Sequence, residues 1–401
     1  MGYEMFRQFY EHNESYDALI DPGPDLVVCD EGHRIKNENK KIYQALKRSE
    51  RILNKILPEK KERIIFVHKS LIQRELYKAF DHFMKKDMES AKENTKSNKN
   101  YLKELKLCHK ILDHPDFLYE DMEKNVSQNK PLDEVTLSSN FAESNHKSFA
   151  EHDEDQNDDK NYIEYFMKYQ WTGYAKEMLV NSYKMLLSLA LIDETVRNGD
   201  KILLFCQHTR TIDKIESFLK TRRFTTKDDN VSFWKKDRNY FRIDGKTSNR
   251  EYFIDKFQTD PNVFLFLIST QAGSVGINLT AANRAILFDV SLNPCDDAQA
   301  VCRVYRLGQE KPTFIYRLVG YNSMEIGILK RNLNKQILFQ KVIEKENMDA
   351  NNAIQILDNL SHYQEENDNH NGHIEKISRD DDKVLAEVMK KNLEWFAMVN
   401  F

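Results

Sequence analysis

In the second half of the chain the apolar residues come in short continuous runs. Each run is followed by a stretch in which they recur three or four positions apart. The runs are Lys201–Cys206, Phe241–Gly245, Phe264–Thr270, Arg284–Val290 and Thr313–Val319. A short apolar run bounded by turn residues is the pattern of a strand buried on both faces. Helices fit the gaps at about 209–220, 247–258, 296–306 and 323–346. Strand and helix in alternation predict an α/β fold, a parallel sheet with helices over both faces. Just upstream, an amphipathic helix is expected over about Tyr174–Arg197, ended by Asn198-Gly199-Asp200.

The first half is less regular. Residues 1–24 are polar and aromatic and close on Asp21-Pro22-Gly23-Pro24; a buried-strand run, Leu26-Val27-Val28-Cys29, then stops at Asp30-Glu31-Gly32-His33. A basic helical pattern follows, Arg63–Lys69 reads as a strand, and residues 70–119 look helical, with Leu102, Leu105, Leu107 and Ile111 loosely periodic. From about 120 to 161 the composition shifts to Asn, Ser, Asp, Glu and Lys, the signature of a disordered acidic linker. A second acidic, Asn-rich stretch covers 362–382, and Lys383–Phe401 is expected to form one amphipathic helix through Leu385, Val388, Met389 and Phe396. The sequence shows no internal repeat.

Composition changes this picture little. The 401 residues leave room for two domains, 40% hydrophobic content supports real cores, and the net charge of −4 conceals basic runs beside acidic blocks. Global charge therefore neither suggests nor excludes nucleic acid. The five cysteines have no framework spacing, which points to a reducing compartment. With no signal peptide, transit peptide or long apolar span in view, a soluble intracellular protein without a membrane partner is expected.

The chemistry concentrates in Asp289–Gln309. Gln299, Arg303 and Arg306 fall at i, i+4 and i+7, so a helix there turns all three to one face beside a Gly-Gln turn. Two guanidiniums and an amide are poor core material and good phosphate ligands, which favours arginine fingers on a nucleotide over a plain surface helix. Asp30-Glu31 ends a buried strand, the edge at which α/β sheets collect ligands; Asp30 suits a Mg²⁺ ion and Glu31 an attacking water. An acidic turn after a strand is the bland alternative. Ser269–Leu279 follows another strand with Gly273 and Gly276 three apart, allowing close approach to a phosphate, or simply a tight strand-to-helix turn. Gly245-Lys246-Thr247 resembles the end of a P-loop, but position 240 is Tyr where that loop needs Gly, so a P-loop is rejected. Cys108, His109 and His114 lack a second close pair of ligands and are read as core or surface residues.

Together these residues resemble the SWI/SNF-type ATPases of the superfamily-two helicases. Asp30-Glu31-Gly32-His33 is similar to their Walker B motif, and its continuation through Asn37 to the branch containing ATRX and the androgen-receptor-interacting helicase. Phe241–Thr247 is similar to the family's R-x-D-G-x-T strand, Ser269–Leu279 to motif V and Asn293–Gln309 to motif VI, within a near-continuous match over about Tyr174–Phe339. Leu57–Phe80 and Leu107–Pro115 look like segments that follow the family's first lobe. The resemblance implies two RecA-like lobes that close on ATP and track double-stranded DNA in chromatin, in the nucleus. It implies Asp30, Glu31, Arg303 and Arg306 as the catalytic set, with Mg²⁺ on Asp30, and Gln299, Gly276, Asn278 and Gln309 on the nucleotide. Thr247, Ser269, Thr270 and Gly273 would meet DNA phosphates, a sequence-independent and salt-sensitive contact. A nuclear receptor or another transcription cofactor would be the protein partner.

The chain departs from that pattern before Asp30, where 29 residues are too few for the P-loop and its strands, and after Asn37, where motif III is missing. A fragment truncated at its start and internally is therefore expected, with a partial first lobe at 1–119, the linker at 120–161, a complete second lobe at 162–346 and an acidic tail at 347–401. The function expected of the parent is ATP-driven DNA translocation. The alternative is a catalytically dead DNA- or partner-binding module made of the second lobe.

Overall fold

The computed structural model describes residues 57–91, 100–128, 165–166, 174–273, 278–343 and 382–400. Asp30, Glu31, Gly276 and most of the acidic linker and tail lie outside these residues. All five apolar runs become strands: β2 (Ile202–Cys206), β5 (Tyr240–Ile243), β6 (Leu265–Ser269), β7 (Arg284–Leu287) and β8 (Thr313–Gly320). With β1 (Lys60–Val67) and β9 (Phe396–Asn400) they form one seven-stranded sheet in the order β5-β6-β2-β7-β8-β1-β9. Its pairings are parallel except β1 with β9.

The sheet is apolar on both faces, and β2 shows why its run had to be continuous. Ile202, Leu204 and Cys206 enter one core while Leu203 and Phe205 enter the other. The first core is closed by α4 (Tyr183–Arg197) and α5 (Thr209–Thr221), the second by α6 (Arg250–Thr259) and α7 (Pro294–Val304). A further helix, α8 (Met324–Ile343), packs its Ile328, Leu329 and Leu333 with Ile64 and Phe66 of β1.

Three helices precede α4 in sequence: α1 (Leu71–Ala91), α2 (Asn100–Asp113) and α3 (Asp116–Gln128). They share a small core of Leu76, Tyr77, Phe80, Ile111 and Leu118. The expected linker therefore begins later than 120, because 120–128 belong to α3.

Residues 60–67, part of the partial first lobe expected at 1–119, pair into the sheet built by the strands of the second half. β1 lies beside β8 in parallel register, Lys60 against Thr313 through Val67 against Gly320, inside the second-lobe sheet. β8 covers one side of this strand along its whole length, and β9 covers the other side along Ile64–Val67.

Two helix boundaries also differ. α4 starts at Tyr183 rather than near Tyr174, because the Ser182 hydroxyl accepts from Met185 N–H at 3.3 Å and caps the first turn. Residues 174–181 instead run over α3, where Asp116 accepts from the Tyr174 hydroxyl and, at 2.9 Å, from Glu177 N–H. At the other end, the expected helix over Lys383–Phe401 stops at Lys391 as α9 (Lys383–Lys391), and Phe396 opens β9. Trp395, Phe396 and Val399 suit a strand, and the open edge of β1 supplies its partner.

The C-terminal segment is moored by charge. Asp382, fully buried at the start of α9, accepts from Leu385 N–H at 3.3 Å, Arg284 Nη1 at 2.9 Å and the Tyr316 hydroxyl at 2.9 Å. A hairpin of β3 (Arg223–Thr225) and β4 (Val231–Phe233) escaped the sequence reading; Phe224 and Trp234 stack beneath it with ring centroids 4.4 Å apart.

Candidate functional site at the carboxyl edge

The strands β2, β6 and β7 end side by side, and their carboxyl ends frame a small cleft. Phe205, Gln207, Thr270, Leu287, Asp289, Asp297 and Ala300 line it. This is the edge at which open α/β sheets bind ligands, because helix N-termini and loops converge there. Asn293 caps α7 by accepting from Cys295 N–H at 3.2 Å, Pro294 occupies the first turn, and Asp296 and Asp297 complement the helix dipole.

The helix carries Gln299 and Arg303 but not Arg306. It ends at Val304, and Tyr305 has left helical geometry at φ −91°, ψ 86°. Arg306 sits instead in a turn closed by Gln309 N–H donating to Arg306 O at 3.0 Å, with Gly308 at φ 98°. The i, i+4, i+7 face is therefore corrected to two residues on the helix and a third on the turn beyond it. Arg303 is 6% exposed, whereas Gln299 and Arg306 are half-buried. The backbone of Leu279 donates to Arg303 O at 3.0 Å, so the end of the Ser269–Leu279 loop is brought against α7. Asn278, expected at the nucleotide, is exposed there and its carbonyl accepts from Gln258 at 3.0 Å.

Gln309 is placed differently from what its motif suggested. Its Nε2 donates to Thr280 O, Ala282 O and Val304 O at 3.2, 2.8 and 3.1 Å, and its Oε1 accepts from Glu310 and Lys311 N–H at 3.1 and 3.0 Å. The amide is fully occupied by backbone, so the residue staples the turn that presents Arg306.

The residues expected on DNA lie at or just beyond the carboxyl ends of β5 and β6. Thr270 lines the cleft and begins a short helical turn ending at Gly273. Ser269 is buried and its hydroxyl accepts from Ala272 N–H at 3.3 Å, a local bond. Thr247, just past β5, donates to Asp244 Oδ1 at 3.1 Å and accepts from Asp244 N–H at 3.0 Å. Thr270 and Thr247 thus share an edge, while the Ser269 hydroxyl is turned to its own turn.

Several participants were not singled out from sequence. Asp289 accepts from Gln207 N–H at 2.8 Å and ties the ends of β7 and β2 together. Asp297 accepts from Arg317 at 2.9 Å; burial pushes its carboxyl up to about 6 against the pull of Arg317. Beneath them Lys184 and Glu325 form a buried pair at 2.6 Å. An acid at the end of an apolar run was the signal available for Asp289, the same one that marked Asp30. Cys108 and His114 serve the helical layer: Cys108 donates to the Tyr77 hydroxyl at 3.9 Å, and His114 faces Met178 O at 3.2 Å. Among the described residues no group of three or more metal-ligating side chains assembles, and no helix is long and apolar enough to cross a membrane.

Residues 182–308 match the family model described as the helicase conserved C-terminal domain, from the cap of α4 to the glycine of the Arg306 turn. Helicase ARIP4 of Homo sapiens is 32% identical over 480 aligned positions, covering 90% of this chain and 32% of that protein. The chain is related to the SNF2-type helicases. Transcriptional regulator ATRX of Homo sapiens is 35% identical over 235 positions, covering 54% of this chain and 9% of ATRX. The chain thus spans about a third of the length of its SNF2-type relative ARIP4. The SWI2/SNF2 ATPase C-terminal domain of Sulfolobus solfataricus is 20% identical with a TM-score of 0.44, covering 74% of this chain and 93% of that one.

Proposed function

We infer that the chain supplies the second lobe of an SNF2-type, ATP-dependent remodeller that moves along double-stranded DNA in nuclear chromatin. The observation that carries this reading is the pairing of a helix-borne Arg303 with a half-buried Arg306 on the stapled turn just beyond the helix. Two guanidiniums on so short a span neutralise charge that develops on a transferring phosphoryl group. Gln299, one helical turn before Arg303, orients the same group, and Asn278 stands beside them. Gly276 completes the loop in this reading. Thr270, Thr247, Ser269 and Gly273 form the stretch of edge that meets DNA phosphates, the two threonine hydroxyls and backbone N–H groups acting as donors. Asp30 would hold Mg²⁺, which spreads the charge of the γ-phosphate, and Glu31 would orient the attacking water; both rest on sequence, since they lie outside the described residues.

The test is phosphate release from ATP, with and without duplex DNA, by the chain joined to a first lobe that carries a P-loop. Duplex-stimulated turnover is expected, reduced at least ~10²-fold in Arg306→Ala and in Glu31→Gln, as for loss of a transition-state stabiliser. Turnover unchanged in both variants would overturn the assignment.

A second reading is favoured by a separate observation. β1 and the three helices after it belong to the same sheet body as the second lobe, which makes that body self-contained. On this reading the chain is a non-catalytic module that grips duplex DNA or a partner such as a nuclear receptor or other transcription cofactor. Salt-dependent duplex binding without turnover is its signature.

A further inference from the structure

The hairpin of β3 and β4 leaves one of its edges bare. β4 pairs with β3 in the register Arg223 against Phe233, Phe224 against Ser232 and Thr225 against Val231. Among the described residues no strand lies along its other side. Trp234 N–H donates to Arg222 O at 3.4 Å and Thr226 N–H to Asn230 O at 2.9 Å, so a bonded pair closes each end of the ladder. Bonded and non-bonded pairs alternate between antiparallel strands, which turns the backbone groups of Val231 and Phe233 away from β3. Asn239 Nδ2 donates to Phe233 O at 3.0 Å. Val231 N–H, Val231 O and Phe233 N–H remain directed outward, on a strand exposed at all three of its residues.

The side chains of this edge are apolar and ringed by positive charge. Val231 is 62% and Phe233 44% exposed. Side chains alternate along a strand, so these two share the outer face with Arg223 and Thr225 while Phe224 points into the core. The Arg223 guanidinium covers the Phe233 ring, 4.8 Å from its centroid. Phe224 fixes the hairpin from beneath, stacked on Trp234 and edge-on to Phe264. Arg222 and Lys236 are held by Asp193 and Glu216 at 2.7 and 3.1 Å. Lys220, Arg223, Lys227, Lys235 and Arg238 are exposed, and none has an ion-pair partner among the described residues. Asp228, Asp229 and Asp237 offset these cations only in part. A second copy of the hairpin would bring like charges together. The aspartates at the hairpin tip repel a phosphate backbone, and the Arg223 cover leaves no free face of Phe233 for a base. An extended acidic peptide meets all three demands: backbone for the ladder, apolar side chains for Val231 and Phe233, and carboxylates for the cations.

We propose that β4 is a docking edge for an acidic peptide, which adds to Val231–Phe233 as a third, antiparallel strand. Val231 then exchanges both of its backbone bonds with one peptide residue, whose side chain falls on the apolar outer face. The hairpin leads into the amino end of β5, the opposite end of that strand from Thr247. A docked peptide leaves the carboxyl ends of the strands open, so the docking stands or falls apart from the proposed activity.

The test is fluorescence anisotropy of the full chain with a labelled, end-capped peptide of alternating glutamate and valine. Saturable binding that weakens as salt is raised is expected. Val231→Pro removes an outward N–H and no bond to β3, and should weaken binding at least ~5-fold. Methylating the valine nitrogens of the peptide keeps every charge but blocks the ladder, and should weaken binding to the unaltered chain by as much. This second arm decides the matter if Val231→Pro disturbs the hairpin. Absence of saturable binding would overturn the proposal. So would binding that survives both changes, which would mark a diffuse attraction between charges. Duplex DNA is titrated in parallel against the chain and its Lys227→Glu, Lys235→Glu double variant. DNA binding lost in that variant, with no binding of the peptide, would assign the patch to nucleic acid instead. Dimerisation of the chain that Val231→Pro abolishes would assign the edge to a second copy and equally sink the peptide.

Discussion

His114 and Asp116 show how two residues on the turn between α2 and α3 set the acid sensitivity of the helical layer. Burial pushes the His114 imidazole down to about 4, and the partly opposing charge of Asp116 does not restore it. Asp116 is also disfavoured by burial. His114, Lys214, the Tyr174 hydroxyl and Glu177 N–H outweigh that effect and hold its carboxyl below the usual range. A histidine that folds neutral contributes stability fully present above its ordinary value of ~6.5 and lost as pH falls through its folded value of about 4. Asp116 extends the loss further down: its contribution is present above the ordinary carboxylate range of ~4 and vanishes as pH falls through its lowered folded value. The segment 174–181, which hangs on both side chains, should therefore release first as pH is lowered from 6.5 to 4. Amide hydrogen exchange read by mass spectrometry checks this. Protection of 174–181 is expected to fade across that window while β2 and β6 stay protected, and His114→Gln is expected to flatten the upper part of the profile. Simultaneous loss from the sheet would mean that another group controls the acid transition.

At the scale of elements, the strands were legible because each carries its instruction locally. Ile202–Cys206 and Leu265–Ser269 are apolar at every position or nearly so, and no other element tolerates so short and unbroken a run. What the sequence did not carry was pairing. Nothing in Lys60–Val67 says that its neighbour lies more than 250 positions away in β8, and nothing in Phe396–Asn400 names β1. The motif-VI helix failed at its end for a related reason: helical spacing continues to Arg306, but Gly308 and the five backbone bonds of Gln309 close a turn there. The candidate site was accordingly legible in its residue types and only partly in its geometry. The C-terminal element depends on a contact of the same long-range kind. Asp382 and Arg284 form a buried pair at 2.9 Å, and Arg284 Nε also donates to Asp200 at 3.2 Å. Replacing Asp382 by alanine leaves the guanidinium short of a buried partner and removes the cap of α9. A loss of roughly 3–5 kcal/mol in urea-induced unfolding is expected. Limited proteolysis of the folded variant should cut first within 382–400. A loss under 1 kcal/mol with no new cleavage would show that apolar packing alone seats the element.

Across the whole molecule, the central consequence is that the sheet joins segments a motif-based reading would divide between two lobes. Pairing runs without interruption from β5 through β8 to β1 and β9, so the segment after the first-lobe motifs and the C-terminal end share one hydrogen-bonded plane. Two tryptophans sit at its opposite margins. Trp234 packs edge-on to Tyr240 at the start of β5, with ring centroids 6.3 Å apart, while Trp395 precedes β9 and its carbonyl accepts from His68 N–H at 2.9 Å. One cooperative body transmits unfolding between those margins, because opening β1 strips the partner from β8 and exposes Ile64, Phe66 and the α8 residues packed on them. Full-length variants that keep Trp234 or Trp395 alone, with phenylalanine at the other tryptophans, should lose their native fluorescence at the same urea concentration and with the same slope. A midpoint for Trp395 well below that of Trp234 would instead mark β1, α9 and β9 as a separately folding unit. The two outcomes lead to different pictures of the chain. Coincident midpoints make residues 57–400 a second lobe with its own helical layer and C-terminal strand, able to stand without a first lobe. Separated midpoints return 57–128 to the first-lobe side, leave the sheet of β5 to β8 as the stable core, and make the join between β8 and β1 the place where the molecule opens.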